Sequence, residues 1–357
     1  MNTIKKLLIT LLILIAFPLG LVEYYSRDNA IVTTEEVIPA DEPQEIQRSV
    51  DNFINVIKTF QTDTAHRGAH AKGHACVKAY FEINDDVRPE LQQGIFKNTS
   101  QQYKAWIRFS NGTPKIANDT EKDSRGIAIK LLNVEQQGQT QEFLLHNSPA
   151  FFSVDLADYN GLIESPDKVK YFFPSYNPLT WRLRELSNVT ATLSPPPFSP
   201  VWEEYFSNTA YKLGPHNVKY KVQSCLPAKS TDEQDQSDAD FLRKTLATEL
   251  DTDKACLQFM VQVQDANKHM PIEDPSVLWK ESDSAYVPVA TITIPQQTFD
   301  TPAQQQFCEN LSFSPWNALA EHKPIGALNR VRKVVYKASS MYRHQFNKTI
   351  TPESLDW

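Results

Sequence analysis

From Gly326 to about Asn347 the chain runs without a proline or an internal glycine, although 23 prolines punctuate the rest of it. A stretch so uninterrupted predicts a helix. Its sequence, ALNRVRKVVYKASSMYRHQFN, sets Arg332, Tyr336 and Arg343 at positions i, i+4 and i+11. At roughly 100° per residue they fall within about 40° of one another on one face. Ser339 shares that face, with Ser340 and Ala338 close by, and small side chains there leave room for a flat ligand. A phenolate that ligates ferric iron needs a cation beside it, and Arg332 lies one turn away. A second guanidinium further along can clamp a carboxylate with its planar fork. Taken alone, the same face reads more simply as a solvated arginine stripe next to a core tyrosine.

Elsewhere the pattern is mostly that of strands. Ala105, Ile107 and Phe109 point one way, and Trp106, Arg108 and Ser110 the other, before Asn111-Gly112 turns the chain. An apolar run follows from Gly126 to Val134, and Leu257–Gln264 and Val287–Ile294 alternate with period two. Val50, Phe53, Ile54, Ile57 and Phe60 have helical spacing. Residues 155 to 225, rich in Pro, Tyr and Trp, read as an irregular connection, and Ser230 to Asp240 as an acidic surface loop. The three histidines His66, His70 and His74 repeat every four residues, but Gly68 and Gly73 argue against the helix that would align them on a metal. The expected class is α+β, antiparallel strands with peripheral helices.

Lys5 and Lys6 precede an uncharged, mostly apolar run from Leu7 to Val22. This is the layout of an export signal, and no small-x-small cleavage site follows it. Either a cleaved signal or an N-terminal anchor is consistent with it, and both place the body outside the cytoplasm, in the periplasm or on the membrane facing it. The run is short of the roughly 20 apolar residues of a full span. Of the four cysteines, Cys225 and Cys256 flank a polar loop and could pair, and buried free thiols are the alternative. A formal net charge of −7 with scattered Lys and Arg excludes nucleic acid as the main partner.

The segment RGAHAKG resembles the R-x-x-H-A-K-G of haem catalases. WIRFSNG resembles their V-R-F-S strand, DSRGIAIKL their D-x-R-G-x-A-x-K, HNSPAFFSVD their N-N-x-P-x-F-F, and RKVVY their R-x-x-x-Y. Each match is short, but they follow one another in the family order with internal spacing intact. MPIEDPSVLW and SPWNALAEHKPIGALNRVR are further similarities, to the small bacterial catalase-related peroxidases. The resemblance is clear over residues 64 to 155 and 313 to 345. It implies an antiparallel β-barrel enclosing a haem pocket, with an N-terminal signal or anchor at 1–25, a polar helical segment at 26–60, a haem domain at 61–347 and a tail at 348–357.

By the same resemblance the cofactor is haem b with Tyr336 as iron ligand and Arg332 tuning it. His70 is the expected acid–base group, Ser110 its hydrogen-bond partner and Asn147 the group that orients peroxide. Arg67, Arg108 and Arg343 are expected on the haem propionates, and Phe151 or Phe152 against the ring. His146 departs from the family, standing where it has its first asparagine, and His74, Cys76 and Lys78 replace small residues after HAKG. The chain lacks the length for the family's long wrapping segment and helical domain. More open access is therefore expected, favouring larger peroxides or a small reducing co-substrate. The implied activity is peroxide cleavage by a haem peroxidase. The rivals are an enzyme rearranging lipid hydroperoxides, as in the allene oxide synthase relatives of this fold, and an exported protein that only carries haem.

Overall fold

The structure, a computed structural model, describes residues 33–349 except 228, 232 and 233, together with 14, 17 and 18. The export-signal segment and the 350–357 tail thus lie almost wholly outside the described residues. Among those described, no helix is long and apolar enough to cross a membrane.

Nine strands are present among the described residues: β1 (Gly73–Ile83), β2 (Gln102–Asn111), β3 (Arg125–Leu132), β4 (Thr140–His146), β5 (Tyr205–Phe206), β6 (Tyr211–Leu213), β7 (His216–Ser224), β8 (Ala255–Val263) and β9 (Val287–Ile294). All pair antiparallel, in the order β5-β4-β3-β2-β1-β9-β8-β7-β6, and β5 also pairs with β7. That last pairing closes eight of the strands into a barrel, leaving β6 as a hairpin on β7. Closure removes the open edges on which an antiparallel sheet would otherwise aggregate.

Period-two alternation fills the barrel. Ile107 and Phe109 of β2, Ile127 and Ile129 of β3, Phe143 of β4, Tyr220 of β7 and Phe259 of β8 join one buried cluster. Aromatic rings meet edge to face there, Phe81 with Phe259 at 5.2 Å and Phe143 with Tyr220 at 5.0 Å. An eight-stranded barrel has a lumen about wide enough for such side chains and little else. Its wall, rather than its lumen, is therefore what bounds a ligand pocket. Arg108 and Ser110 of β2 belong to the outer face.

Among residues 33–349, seven α-helices lie outside the barrel: α1 (Glu42–Phe60), α2 (Leu156–Glu164), α3 (Lys168–Phe172), α4 (Leu183–Thr192), α5 (Phe241–Thr252), α6 (Pro302–Asn310) and α7 (Ala327–Phe346). The apolar face of α1 (Ile46, Val50, Phe53) packs on Leu328, Val331 and Val335 of α7 and on Leu156 of α2. Arg330 ties the start of α7 down by ion pairs to Glu36 at 2.7 Å, Glu42 at 2.7 Å and Glu273 at 3.0 Å. Helix α6 lies on the barrel through Phe307 against Trp106, centroids 4.6 Å apart, and a disulfide from Cys308 to Cys76 of β1. A second disulfide joins Cys225 and Cys256.

The 155–225 region differs from the irregular connection expected of it. It holds α2, α3 and α4 and the strands β5, β6 and β7. Asp155 and Asp167 cap α2 and α3 by accepting from the backbone N–H of Asp158 and of Val169 and Lys170. These helices are only 9, 5 and 10 residues long. Helices so short are decided by what they pack against rather than by their own periodicity.

Candidate active site

One cavity, partly open to solvent, lies between the outer face of β2, β3 and β4, the loop before β1, and helices α1 and α7. Helix α7 contributes Arg332, Tyr336, Ser339, Ser340 and Arg343, its expected face. The strands contribute Arg108, Ser110, Gly126, Ala128, Leu144 and His146, and the loop contributes Arg67, Ala69 and His70. His66, His70 and His74 are not gathered into one cluster, and no group of three or more His, Cys, Asp or Glu side chains suited to a metal occurs among the described residues.

His70 has a positive φ of 57°, and its backbone is held on both sides. Its N–H donates to Gly112 O at 2.8 Å, and its carbonyl accepts from Arg108 Nη2 at 2.8 Å. Nδ1 lies 3.1 Å from the carbonyl oxygen of Asn111 and 3.2 Å from Ser110 Oγ. A carbonyl only accepts, so Nδ1 carries the proton and Nε2 keeps its lone pair. Burial pushes this imidazole down to about 4, and Arg108 and Arg332 add to the effect. His70 is thus a neutral base across the physiological range.

The ring rests on Gly126. A Cβ there would stand 2.6 Å from His70 Cε1 and Nδ1 and 3.3 Å from Ser110 Oγ. Gly126→Ala should therefore leave the barrel intact and displace the imidazole. A shift of about 1 Å at a reacting group costs on the order of 100-fold. Stopped-flow rates with peroxide should fall while the thermal midpoint holds, and an unchanged rate would mean that the ring position is not critical.

Tyr336 and Arg332 stand on the helix face across the cavity. Arg332 Nη1 donates to Thr209 Oγ1 at 3.1 Å and Asn329 Oδ1 at 3.2 Å. Asn329, fully buried, in turn donates to Ala210 O at 2.7 Å. Thr209 and Asn329 were not visible as site residues in the sequence, because they act by orienting another side chain. Tyr159 of α2 also feels this pair: burial, together with the nearby Tyr336, raises its phenol to about 12.

Three of the expected site residues are absent from the lining of this cavity. Asn147 does not reach the cavity. Its Oδ1 accepts from Arg125 N–H at 2.9 Å and its Nδ2 donates to Ser194 Oγ at 2.8 Å, fastening the end of β4 to the loop after α4. His146, at the end of β4 beside Leu144 and Leu145, lines the cavity. Phe151 packs beside Tyr336 on the cluster of α1, α2 and α7, and Phe152 on α3, and neither lines the cavity. The apolar rings that do are Phe53 and Phe313.

His146 is a second neutral imidazole, pushed down to about 3 by burial and by His70 and Arg332. Its Nδ1 accepts from Ser148 N–H at 3.2 Å and its Nε2 meets the Asn208 amide. Both nitrogens are engaged, which leaves His70 Nε2 as the imidazole nitrogen without a protein partner at this cavity. His74 is buried away from the cavity, with Nε2 2.8 Å from Asn111 Oδ1, and His322 is also buried. Burial brings these two down to about 4 and about 3. Unfolded, all four histidines take a proton near pH 6.5. Between that value and their folded values the unfolded chain holds more protons, so stability is lost as pH falls. The thermal midpoint should drop by about 10 °C or more from pH 6.5 to pH 4. A flat profile in thermal melts would mean that these imidazoles titrate normally when folded.

The donor set fits a haem. A phenol beside a guanidinium could hold an iron, three arginines could pair with carboxylates, and Arg108 Nε is a buried donor without a partner. Residues 45–171 match the Catalase family model. The fold matches catalase A from Saccharomyces cerevisiae with a TM-score of 0.65, at 18% identity over 89% of this chain and 70% of that one. It matches a fungal catalase at 0.64, 18% identical over 88% and 66%, and a bacterial catalase at 0.63, 15% identical over 92% and 67%. The chain spans about two thirds of the length of these structures. No curated protein matches it at a significant level.

Proposed function

We propose that this chain, a member of the catalase family by sequence over residues 45–171 and by fold over most of its length, is a haem peroxidase that cleaves hydrogen peroxide or organic hydroperoxides. The observation that carries the reading is the placement of Tyr336 with Arg332 on one wall of a cavity and His70 with Ser110 on the other. Tyr336 would ligate the iron of haem b, and Arg332 would favour its phenolate. Arg67, Arg108 and Arg343 would take the haem carboxylates at one end.

Bound haem supplies the redox chemistry that splits an O–O bond. The chain supplies the proton movement. His70 Nε2 takes the proton of the inner peroxide oxygen, and the same imidazole returns it to the outer oxygen as that oxygen leaves. Asn111 O and Ser110 hold the ring through Nδ1 during both transfers. Arg108 and Arg332 keep the imidazole neutral and ready to accept. Phe53, Ile127, Leu144 and Phe313 keep the site apolar, which suits organic as well as hydrogen peroxide. A purely haem-carrying protein has no need of a neutral imidazole with an open nitrogen.

The body is proposed to act outside the cytoplasmic membrane, a reading supported by the Leu7–Val22 leader and by two disulfides. The test of function is the haem-loaded protein itself. Its spectrum should be that of high-spin ferric iron with a phenolate ligand, and peroxide should be consumed with or without a reducing co-substrate. Haem uptake without peroxide turnover would leave only the carrier role.

A further inference from the structure

Arg67, Arg108 and Arg343 gather at one end of the cavity, and a carboxylate of the chain itself stands against them. Glu309 Oε2 accepts from Arg67 Nη1 at 3.0 Å. Its Oε1 lies 3.5 Å from Arg343 Nη1 and 3.4 Å from His66 Nδ1. Burial alone would raise this carboxyl, but Arg67, His66, Arg108 and Arg343 outweigh it and hold it down at about 2.

Glu309 cannot easily leave. It is the penultimate residue of α6, next to Cys308, whose disulfide to Cys76 ties the helix to β1. The same guanidiniums also grip the end of α6. Arg67 Nη2 donates to Leu311 O at 2.6 Å and Cys308 O at 3.2 Å, and Arg343 Nη1 to Glu309 O at 2.8 Å. Cations at a helix C-terminus are favourable, so these bonds stabilise the haem-free arrangement.

We propose that Glu309 is an internal competitor for the haem carboxylates. It neutralises one of the three positive charges at that end of the cavity, and so stabilises the empty site and weakens the hold on a dicarboxylate porphyrin. The inference rests on the haem reading above. The chain thereby retains its cofactor less firmly than three arginines alone would. A like charge several ångströms from a carboxylate, in a partly screened site, is worth about a tenfold change in affinity or more.

The test compares the haem-loaded full chain with its Glu309→Gln variant, which keeps the shape and an amide oxygen for Arg67. Loss of haem to an excess of a tight-binding scavenger is followed by Soret absorbance, and repeated with haem dimethyl ester, which has no carboxylates. The variant should lose haem about tenfold more slowly, and the ester should leave both proteins at the same rate. Equal or faster haem loss from the variant would overturn the proposal, and faster loss would make Glu309 a positioning residue for the arginines. Slower loss of the ester as well would show that the gain is not electrostatic. If neither protein holds haem, the haem reading fails and this inference with it.

Discussion

Tyr336→Phe should fold normally and lose its haem. The ring of Tyr336 packs at the edge of the apolar cluster formed by α1, α2 and α7, and phenylalanine keeps that contact. Only the hydroxyl is removed, and the hydroxyl is the proposed iron ligand. Groups that merely orient a metal ligand typically cost 10- to 100-fold in metal affinity when removed, so losing the ligand itself should cost at least about 100-fold. Arg332 stays in place on Thr209 and Asn329, and the three arginines at the far end still attract the carboxylates. Residual haem should therefore bind loosely and with an altered spectrum. The measurements are haem content and absorbance of the purified variant, with thermal unfolding as the control for folding. A spectrum identical to that of the parent would remove Tyr336 from the site.

The second large effect is on the opposite wall. His70→Ala should retain haem, because it leaves Tyr336 and the arginine side chains proposed to hold the carboxylates in place. It should lose roughly 10² to 10⁴ of the rate of reaction with hydrogen peroxide, the usual contribution of a positioned general acid–base. His146 cannot replace it, since Ser148 N–H and the Asn208 amide occupy its two nitrogens. His74→Ala should behave differently. That ring is buried against Asn111, and Asp119 lies 3.8 Å from its Nδ1. Its removal should lower the thermal midpoint and leave the peroxide rate within a few-fold. A rate loss with His74→Ala but not with His70→Ala would move the base to the wrong histidine.

The residues of the two walls were readable because each stands in a regular element with a known period. Tyr336, Arg332 and Arg343 share one face of a helix that nothing in its sequence interrupts. Arg108 and Ser110 share one face of a strand. His146 was readable in the same way, since it continues the face of Leu144, but family likeness pointed to the neighbouring Asn147. Phe151 and Phe152 illustrate the opposite limit. They follow β4 in an irregular segment, where no period says which way a side chain points.

Sequence alone determined the elements and the faces they present, because helical and strand periods act over neighbouring residues. It carried the strands of the barrel and the helix face that α7 turns to the cavity. Only the tertiary structure decided what those faces meet. The arginine end of the cavity depends on Glu309 coming 242 residues along the chain from Arg67, and the disulfide beside it on Cys308 meeting Cys76 across a separation of 232. Likewise Thr209 reaches Arg332 and Asn329 only because α7 lies against the segment before β6. Contacts so distant in sequence leave no local trace. They are set by how a closed barrel and its covering helices share one surface, and no residue states that by itself.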